Sequence, residues 1–80
     1  METTKQAIDN ILMQQINGLH PQQITPEAEL VRDLGADSLD QVEIAFAVEE
    51  KFDFEGEESD MDKIKTVGDL YDYVSAKVQA

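Results

Sequence analysis

The segment from Ser38 to Phe52 constrains the fold of this chain most, because it has the spacing of a helix with two apolar sides. At about 100° per residue, its apolar side chains fall on two nearly opposite stripes. The first stripe contains Ile44, Ala45, Val48 and Phe52, and the second contains Leu39, Val42 and Phe46. A surface helix of a globular protein needs only one apolar side. This helix is therefore buried on both sides, or it packs one side on the core and presents the other to something else.

Acidic residues border the second stripe. They are Asp40, Glu43, Glu49 and Glu50. An apolar stripe with a charged rim is typical of an exposed docking surface. The alternative is that the stripe packs beneath a loop. For Leu39 and Val42 both interpretations stay open, whereas Phe46 is expected at the surface.

Two further segments have helical spacing. Residues 4–17 repeat apolar side chains at steps of three and four, and Thr3 and Gln6 have the spacing of a capping box. Asn17-Gly18 is a stop signal, because glycine readily adopts the left-handed conformation at a helix end. The last helix is predicted to begin at Thr66-Val67-Gly68-Asp69. Its apolar side chains are Val67, Leu70, Tyr71, Val74 and Val78.

The segments between the helices lack periodicity. Residues 19–36, the first loop, contain Pro21 and Pro26, which disfavour helix at the residues before them. The apolar side chains of the loop are expected to pack against the bundle; they are Leu19, Ile24, Leu30, Val31 and Leu34. A short helical turn is predicted from Ser59 to Ile64. No segment indicates a strand. The prediction is a single all-α domain over residues 1–80, a small four-helix bundle of three main helices and one short helix with a long first loop.

The charge balance limits the possible partners. Eighteen acids and six bases give the 80 residues a formal net charge of −12. Such a surface repels nucleic acid and anionic lipid and attracts basic protein patches. No apolar run reaches the ~20 residues of a membrane span, and the N-terminus lacks signal-peptide features. We therefore expect a monomeric, cytoplasmic protein that neither binds nucleic acid nor inserts into membranes.

Nothing in the sequence favours catalysis or a dedicated metal site. The chain has no cysteine, and its single histidine, His20, lies in the first loop. The acids between Asp53 and Asp62 do not have the ligand and glycine spacing of a calcium-binding EF-hand loop. We therefore predict neither catalytic residues nor metal ligands.

Ser38 lies where the loop meets the central helix and has two interpretations. With Gln41 it has the spacing of a capping box, and serine is common at a helix start. Alternatively, Asp37 caps the helix and leaves the Ser38 hydroxyl free for modification. A phosphodiester at that position would be stabilised by the amides and dipole of the helix N-terminus. Spacing alone favours the cap.

The sequence around Ser38 resembles that of the acyl carrier proteins. The resemblance rests on Gly35-Ala36-Asp37-Ser38-Leu39-Asp40, Val42-Glu43 and Val48-Glu49-Glu50-Lys51-Phe52, and it extends to Thr66-Val67-Gly68-Asp69. It covers nearly the whole chain and is strongest to the free-standing carriers of dissociated (type II) fatty acid synthesis. It implies a protein that is not itself an enzyme. A phosphopantetheinyl transferase would attach phosphopantetheine from coenzyme A to Ser38, and the arm would carry acyl groups as thioesters.

The same resemblance implies two further sets of residues. Those matching the positions that meet partner enzymes are Asp37, Leu39, Asp40, Val42, Glu43, Phe46, Glu49 and Glu50. Those matching the pocket for the acyl chain are Ile44, Val48, Phe52, Ile64, Leu70 and Tyr71. The implied partners are the transferase and acyl synthases, reductases, dehydratases and acyltransferases with basic patches.

The sequence departs from the family after Phe52-Asp53. A small acid–aliphatic–proline run is usual there, and this chain has Phe54-Glu55-Gly56-Glu57-Glu58 instead. Phe46 is also bulkier than the family pattern implies. Two alternatives therefore stay open. One is a specialised carrier for polyketide, lipid A or another acyl product. The other is an unmodified acidic helical module that binds a basic partner and uses Ser38 only as a cap.

Overall fold

The computed structural model describes residues 3–56, 60 and 62–79, which form an all-α fold. Its long helices are α1 (Thr4–Gln15), α2 (Ser38–Phe52) and α3 (Val67–Gln79), and a 3-10 turn, Pro21–Gln23, interrupts the first loop. The described residues form no strand, only an isolated bridge between Glu29 and Thr66. The all-α prediction is confirmed. Of the short helical turn predicted from Ser59 to Ile64, Ser59 and Met61 lie outside the described residues. Residue 60 is helical, residues 62–63 form a turn, and the Lys63 N–H donates to Asp60 O at 3.1 Å.

The helices begin where local side chains satisfy their first backbone amides. At α1, the Thr3 hydroxyl accepts from the Gln6 N–H at 3.1 Å and the Gln6 amide oxygen accepts from the Thr3 N–H at 2.9 Å. At α3, Asp69 N–H donates to the Thr66 hydroxyl at 3.0 Å, and the Asp69 carboxylate accepts from Thr66 N–H at 3.1 Å. Both predicted starts are confirmed. Helix α1 ends at Gln15, two residues before the predicted end.

The core lies between the three helices and the first loop. Of the loop residues expected to pack against the bundle, Leu30 and Leu34 are buried, and Leu19 and Ile24 are half-buried against the core. Val31 is 56% exposed, so the prediction for it is wrong. The loop is held to the start of α3 by backbone hydrogen bonds of 2.9 Å from Leu30 N–H to Lys65 O and from Val67 N–H to Ala28 O. These bonds fix the chain that leads into α2.

Candidate functional site

The chain reaches α2 through a folded turn. Gly35 has a φ of 78°, a left-handed conformation that glycine adopts without the steric cost other residues meet. Ala36 is buried, and its N–H donates to Leu30 O at 2.9 Å. The turn therefore anchors the residue before Asp37 and sets the direction in which α2 starts.

Asp37, and not Ser38, caps α2. The Asp37 carboxylate accepts from the Asp40 N–H at 2.8 Å, and the Asp40 carboxylate accepts from the Asp37 N–H at 3.1 Å. This reciprocal pair is a capping box built from two aspartates. The interpretation of Ser38 and Gln41 as the cap is therefore wrong, and the alternative with Asp37 as the cap is confirmed.

Ser38 is left as an exposed hydroxyl on the first residue of α2. Its side chain has no hydrogen bond to any residue in the part of the chain that the structure describes. An anionic group attached to it would lie at the positive end of the helix dipole. The carboxylates of Asp37 and Asp40 each accept a backbone N–H. These features fit a covalently attached phosphodiester.

The second stripe of α2 faces solvent. Leu39 is 65% exposed, Val42 47% and Phe46 63%. The alternative in which these side chains pack beneath the loop is therefore wrong, and the surface position expected for Phe46 is confirmed. Their acidic neighbours are exposed or half-buried on the same helix and its cap; they are Asp37, Asp40, Glu43, Glu49 and Glu50. These eight residues are called the docking face below.

The six residues predicted to line an acyl pocket come together in the core. Ile44, Val48, Ile64 and Leu70 are buried, and Phe52 and Tyr71 are half-buried against the same cluster. They are called the acyl site below. An open groove of about 420 Å³ lies outside Ile64; its walls are Glu29, Val31, Arg32, Gln41, Asp62, Ile64 and Lys65. Ile64 is part of both the groove wall and the core, and it separates the two. Gln41, also in the groove wall, lies about one helical turn along α2 from Ser38.

Tyr71 joins α3 to α1 in addition to packing on the core. Its hydroxyl donates a hydrogen bond to the Asp9 carboxylate, and Lys5 Nζ lies 5.8 Å from the centre of its ring. Burial raises the pKa of the Tyr71 hydroxyl far above its usual value, and the bond to Asp9 adds to the effect. The hydroxyl is therefore protonated, and its hydrogen bond to Asp9 connects α3 to α1.

Tyr73 was missed in the sequence analysis. Its ring is half-buried, and its hydroxyl lies against Gly56, the glycine of the unusual Phe54-Glu55-Gly56 run. The glycine was a usable signal, because glycine where a larger side chain is usual often marks a close approach.

The described residues hold no group of three His, Cys, Asp or Glu side chains that could bind a metal ion. His20 is exposed, and its backbone N–H is bonded to the Gln23 side chain at 2.8 Å. Across residues 3–56, 60 and 62–79, no helix has the length and apolar character to cross a membrane.

Comparison with known proteins adds independent findings. Residues 10–74 match the family described as the phosphopantetheine attachment site. The chain is 48% identical over 67 residues to an acyl carrier protein of Helicobacter pylori, a match covering 84% of this chain and 85% of the relative. The fold is similar to that of a candidate acyl carrier protein from Mycobacterium tuberculosis. The TM-score is 0.83 at 32% identity, over 92% of this chain and 97% of that one.

Proposed function

The chain belongs to the acyl carrier protein family, whose members carry acyl groups on phosphopantetheine, and on that premise we propose that Ser38 is the attachment residue and that the cargo is an intermediate of fatty acid synthesis. One observation supports the choice of residue. Ser38 is exposed at the start of α2, and its hydroxyl is not used as a cap because Asp37 has that role.

The chemistry at Ser38 follows from the position of its hydroxyl. The Ser38 oxygen bonds to the pantetheine phosphorus of coenzyme A, the phosphoanhydride bond breaks, and adenosine bisphosphate leaves. The hydroxyl proton passes to a base of the transferase. The positive end of the α2 dipole stabilises the negative phosphodiester that results. Since the chain has no cysteine, the thiol that forms the acyl thioester belongs to the attached arm.

The docking face recruits the enzymes that act on the cargo. Leu39, Val42 and Phe46 provide exposed apolar area, and the surrounding acids fit a partner with a basic rim around an apolar patch. Charge attraction of this kind speeds association and suits short encounters with many enzymes. The carrier itself catalyses no step in this proposal; its role is to present the thioester to successive partners.

The acyl site shelters the growing chain between encounters. Its six side chains lie in one cluster that extends from α2 to α3. A saturated chain that enters this cluster leaves water and gains the free energy of apolar burial, about 0.8 kcal/mol for each methylene group. Ile44 and Val48 on α2 and Leu70 on α3 are fully buried, so an acyl chain that enters between them requires α2 and α3 to move apart.

A reconstituted reaction tests the assignment to fatty acid synthesis. The modified protein is supplied with an acetyl-coenzyme A primer, malonyl-coenzyme A, a reduced nicotinamide nucleotide as hydride donor, an acyltransferase, and the condensing, reducing and dehydrating enzymes of a dissociated fatty acid pathway. Its intact mass is then followed. The expected result is a series of saturated acyl thioesters that grow by two-carbon units, with none on Ser38→Ala. A modified protein that stays unextended would contradict the assignment to this pathway.

A further inference from the structure

A larger residue at Gly56 would require the neighbouring side chains to shift. A Cβ atom at this position would lie 2.2 Å from the Tyr73 hydroxyl oxygen and 3.0 Å from Glu49 Oε1. The first distance is far inside van der Waals contact. The hydroxyl at the end of the Tyr73 side chain, which comes from α3, therefore occupies the volume that an aliphatic side chain would fill.

Tyr73 is held in this position from several directions. Its hydroxyl donates to Asp60 Oδ2 at 3.0 Å. The Phe54 ring meets the Tyr73 ring in an edge-on contact, with centroids 5.8 Å apart and planes at 74°. Lys77 Nζ lies 5.7 Å from the centre of the same ring. The aromatic contact and the hydrogen bond tie α3 to the segment that follows α2.

This arrangement lies at the end of α2 remote from Ser38. At a rise of 1.5 Å per residue, Phe52 is about 21 Å along the helix from Ser38. Asp53, in a left-handed conformation with a φ of 54°, then turns the chain so that the Phe54 N–H donates to Glu49 O at 3.1 Å. On α3, Tyr73 is about one turn beyond Leu70 of the acyl site. Phe54 and Tyr73 are both half-buried against the core cluster.

On the basis of the proposed function, we propose that Tyr73, with its hydroxyl over Gly56, forms the end wall of the acyl site and limits the length of the chain that the protein shelters. A chain that enters from the Ser38 end passes Ile44, Val48 and Phe52 before it meets this ring. A longer chain has to displace the ring from Phe54 and separate its hydroxyl from Asp60. Leaving a polar group without its hydrogen-bond partner in a partly buried position costs free energy.

The stabilisation that cargo gives should therefore depend on chain length. Each added methylene group gains apolar burial until the chain reaches Tyr73, and further groups gain nothing or open the contact between α3 and the Phe54 segment. The midpoint of thermal unfolding, measured against the form with an unacylated arm, should rise with chain length, reach a maximum and then fall.

The experiment compares four proteins, the wild type and three variants, loaded with the same series of cargoes. A broad-specificity transferase attaches acyl-phosphopantetheine from even-numbered acyl-coenzyme A donors, from butyryl to palmitoyl, and each loaded protein is melted. Tyr73→Phe keeps the ring and its contact with Phe54 but removes the hydroxyl and its bond. Lys77→Gln is the matched control, since it changes a neighbour of the same ring and leaves the hydroxyl in place.

We expect wild type and Lys77→Gln to reach their maximum at the same chain length and Tyr73→Phe to reach it at a longer one. Asp60→Ala, which removes the acceptor and keeps the tyrosine, should move the maximum in the same direction. The proposal would be overturned if wild type, Tyr73→Phe and Asp60→Ala all reached their highest midpoint of thermal unfolding at the same chain length. It would also be overturned if the midpoint did not change with chain length. A wild-type protein that accepts no acyl-phosphopantetheine at Ser38 would instead overturn the proposed function.

Discussion

Asp37 and Ser38 are neighbours with different roles, although either residue type can cap a helix. The aspartate accepts the Asp40 N–H at 2.8 Å and ends the first loop, while the serine, one residue later, is already helical and exposed. The cap thereby fixes the direction of α2 without engaging the hydroxyl. Modification of Ser38 therefore removes no hydrogen bond that supports the start of the helix.

Substitution of each neighbour should separate these roles. Asp37→Ala removes the cap and should lower the free energy of unfolding by about 0.5–2 kcal/mol. Ser38→Ala removes an exposed hydroxyl at a position where alanine is helical by preference, so a change within about 0.5 kcal/mol is expected. Urea unfolding followed by circular dichroism measures both. A larger loss for Ser38→Ala than for Asp37→Ala would show that the serine supports the helix.

At the scale of the element, α2 combines a buried stripe with an exposed one. Ile44 and Val48 are fully buried, whereas Leu39 and Phe46 are each more than 60% exposed on the other side. The buried stripe holds the helix against the core without help from the exposed one. Substitutions on the docking face can therefore change the encounter with partners while leaving the fold intact.

A charge reversal tests this division. Glu43→Lys places a base among the acids of the docking face and should slow transfer by partner enzymes several-fold at low salt, because it opposes their basic patches. Asp72→Lys, an equal change of net charge at an exposed position on α3, is the control. Transfer rates are measured at limiting enzyme, with circular dichroism as a check on the fold. Equal rates for both variants would assign the effect to net charge and not to this face.

Local signals in the sequence predict the helices correctly. Apolar periodicity placed α1, α2 and α3, and the spacings of Thr3 with Gln6 and of Thr66 with Asp69 marked two of their starts. Whether Leu39 and Val42 are covered stays open from the sequence, because it depends on the path of the first loop. The loop is fixed by bonds between residues distant in sequence, such as Leu30 N–H to Lys65 O. The contact between Gly56 and Tyr73 was missed for the same reason.

For the whole molecule, charge works against compactness. A formal net charge of −12 on 80 residues means that folding brings like charges together. On the surface, Arg32 and Glu29 form an ion pair at 4.0 Å. An exposed pair of that kind contributes little. Apolar burial between the helices therefore has to outweigh the mutual repulsion of the carboxylates.

Salt should consequently stabilise the fold. The Debye length falls from about 30 Å at 0.01 M to about 3 Å at 1 M salt, so repulsion between surface carboxylates is largely screened. The midpoint of thermal unfolding should rise by several degrees. For a domain of this size, an increase of about 1 kcal/mol in the free energy of unfolding raises the midpoint by about 4–8 °C. A variant with Glu43, Glu49 and Glu50 changed to glutamine should respond less. A wild-type midpoint that falls as sodium chloride is added would contradict this account.

The modification of Ser38 is the central claim, and intact mass measures it directly. The purified protein is incubated with coenzyme A and a broad-specificity phosphopantetheinyl transferase and then weighed by mass spectrometry. The expected result is the mass of a single phosphopantetheine group on wild type and on Ser75→Ala, which alters a serine of α3, and no gain on Ser38→Ala. An unchanged wild-type mass, or a gain that persists in Ser38→Ala, would contradict the claim.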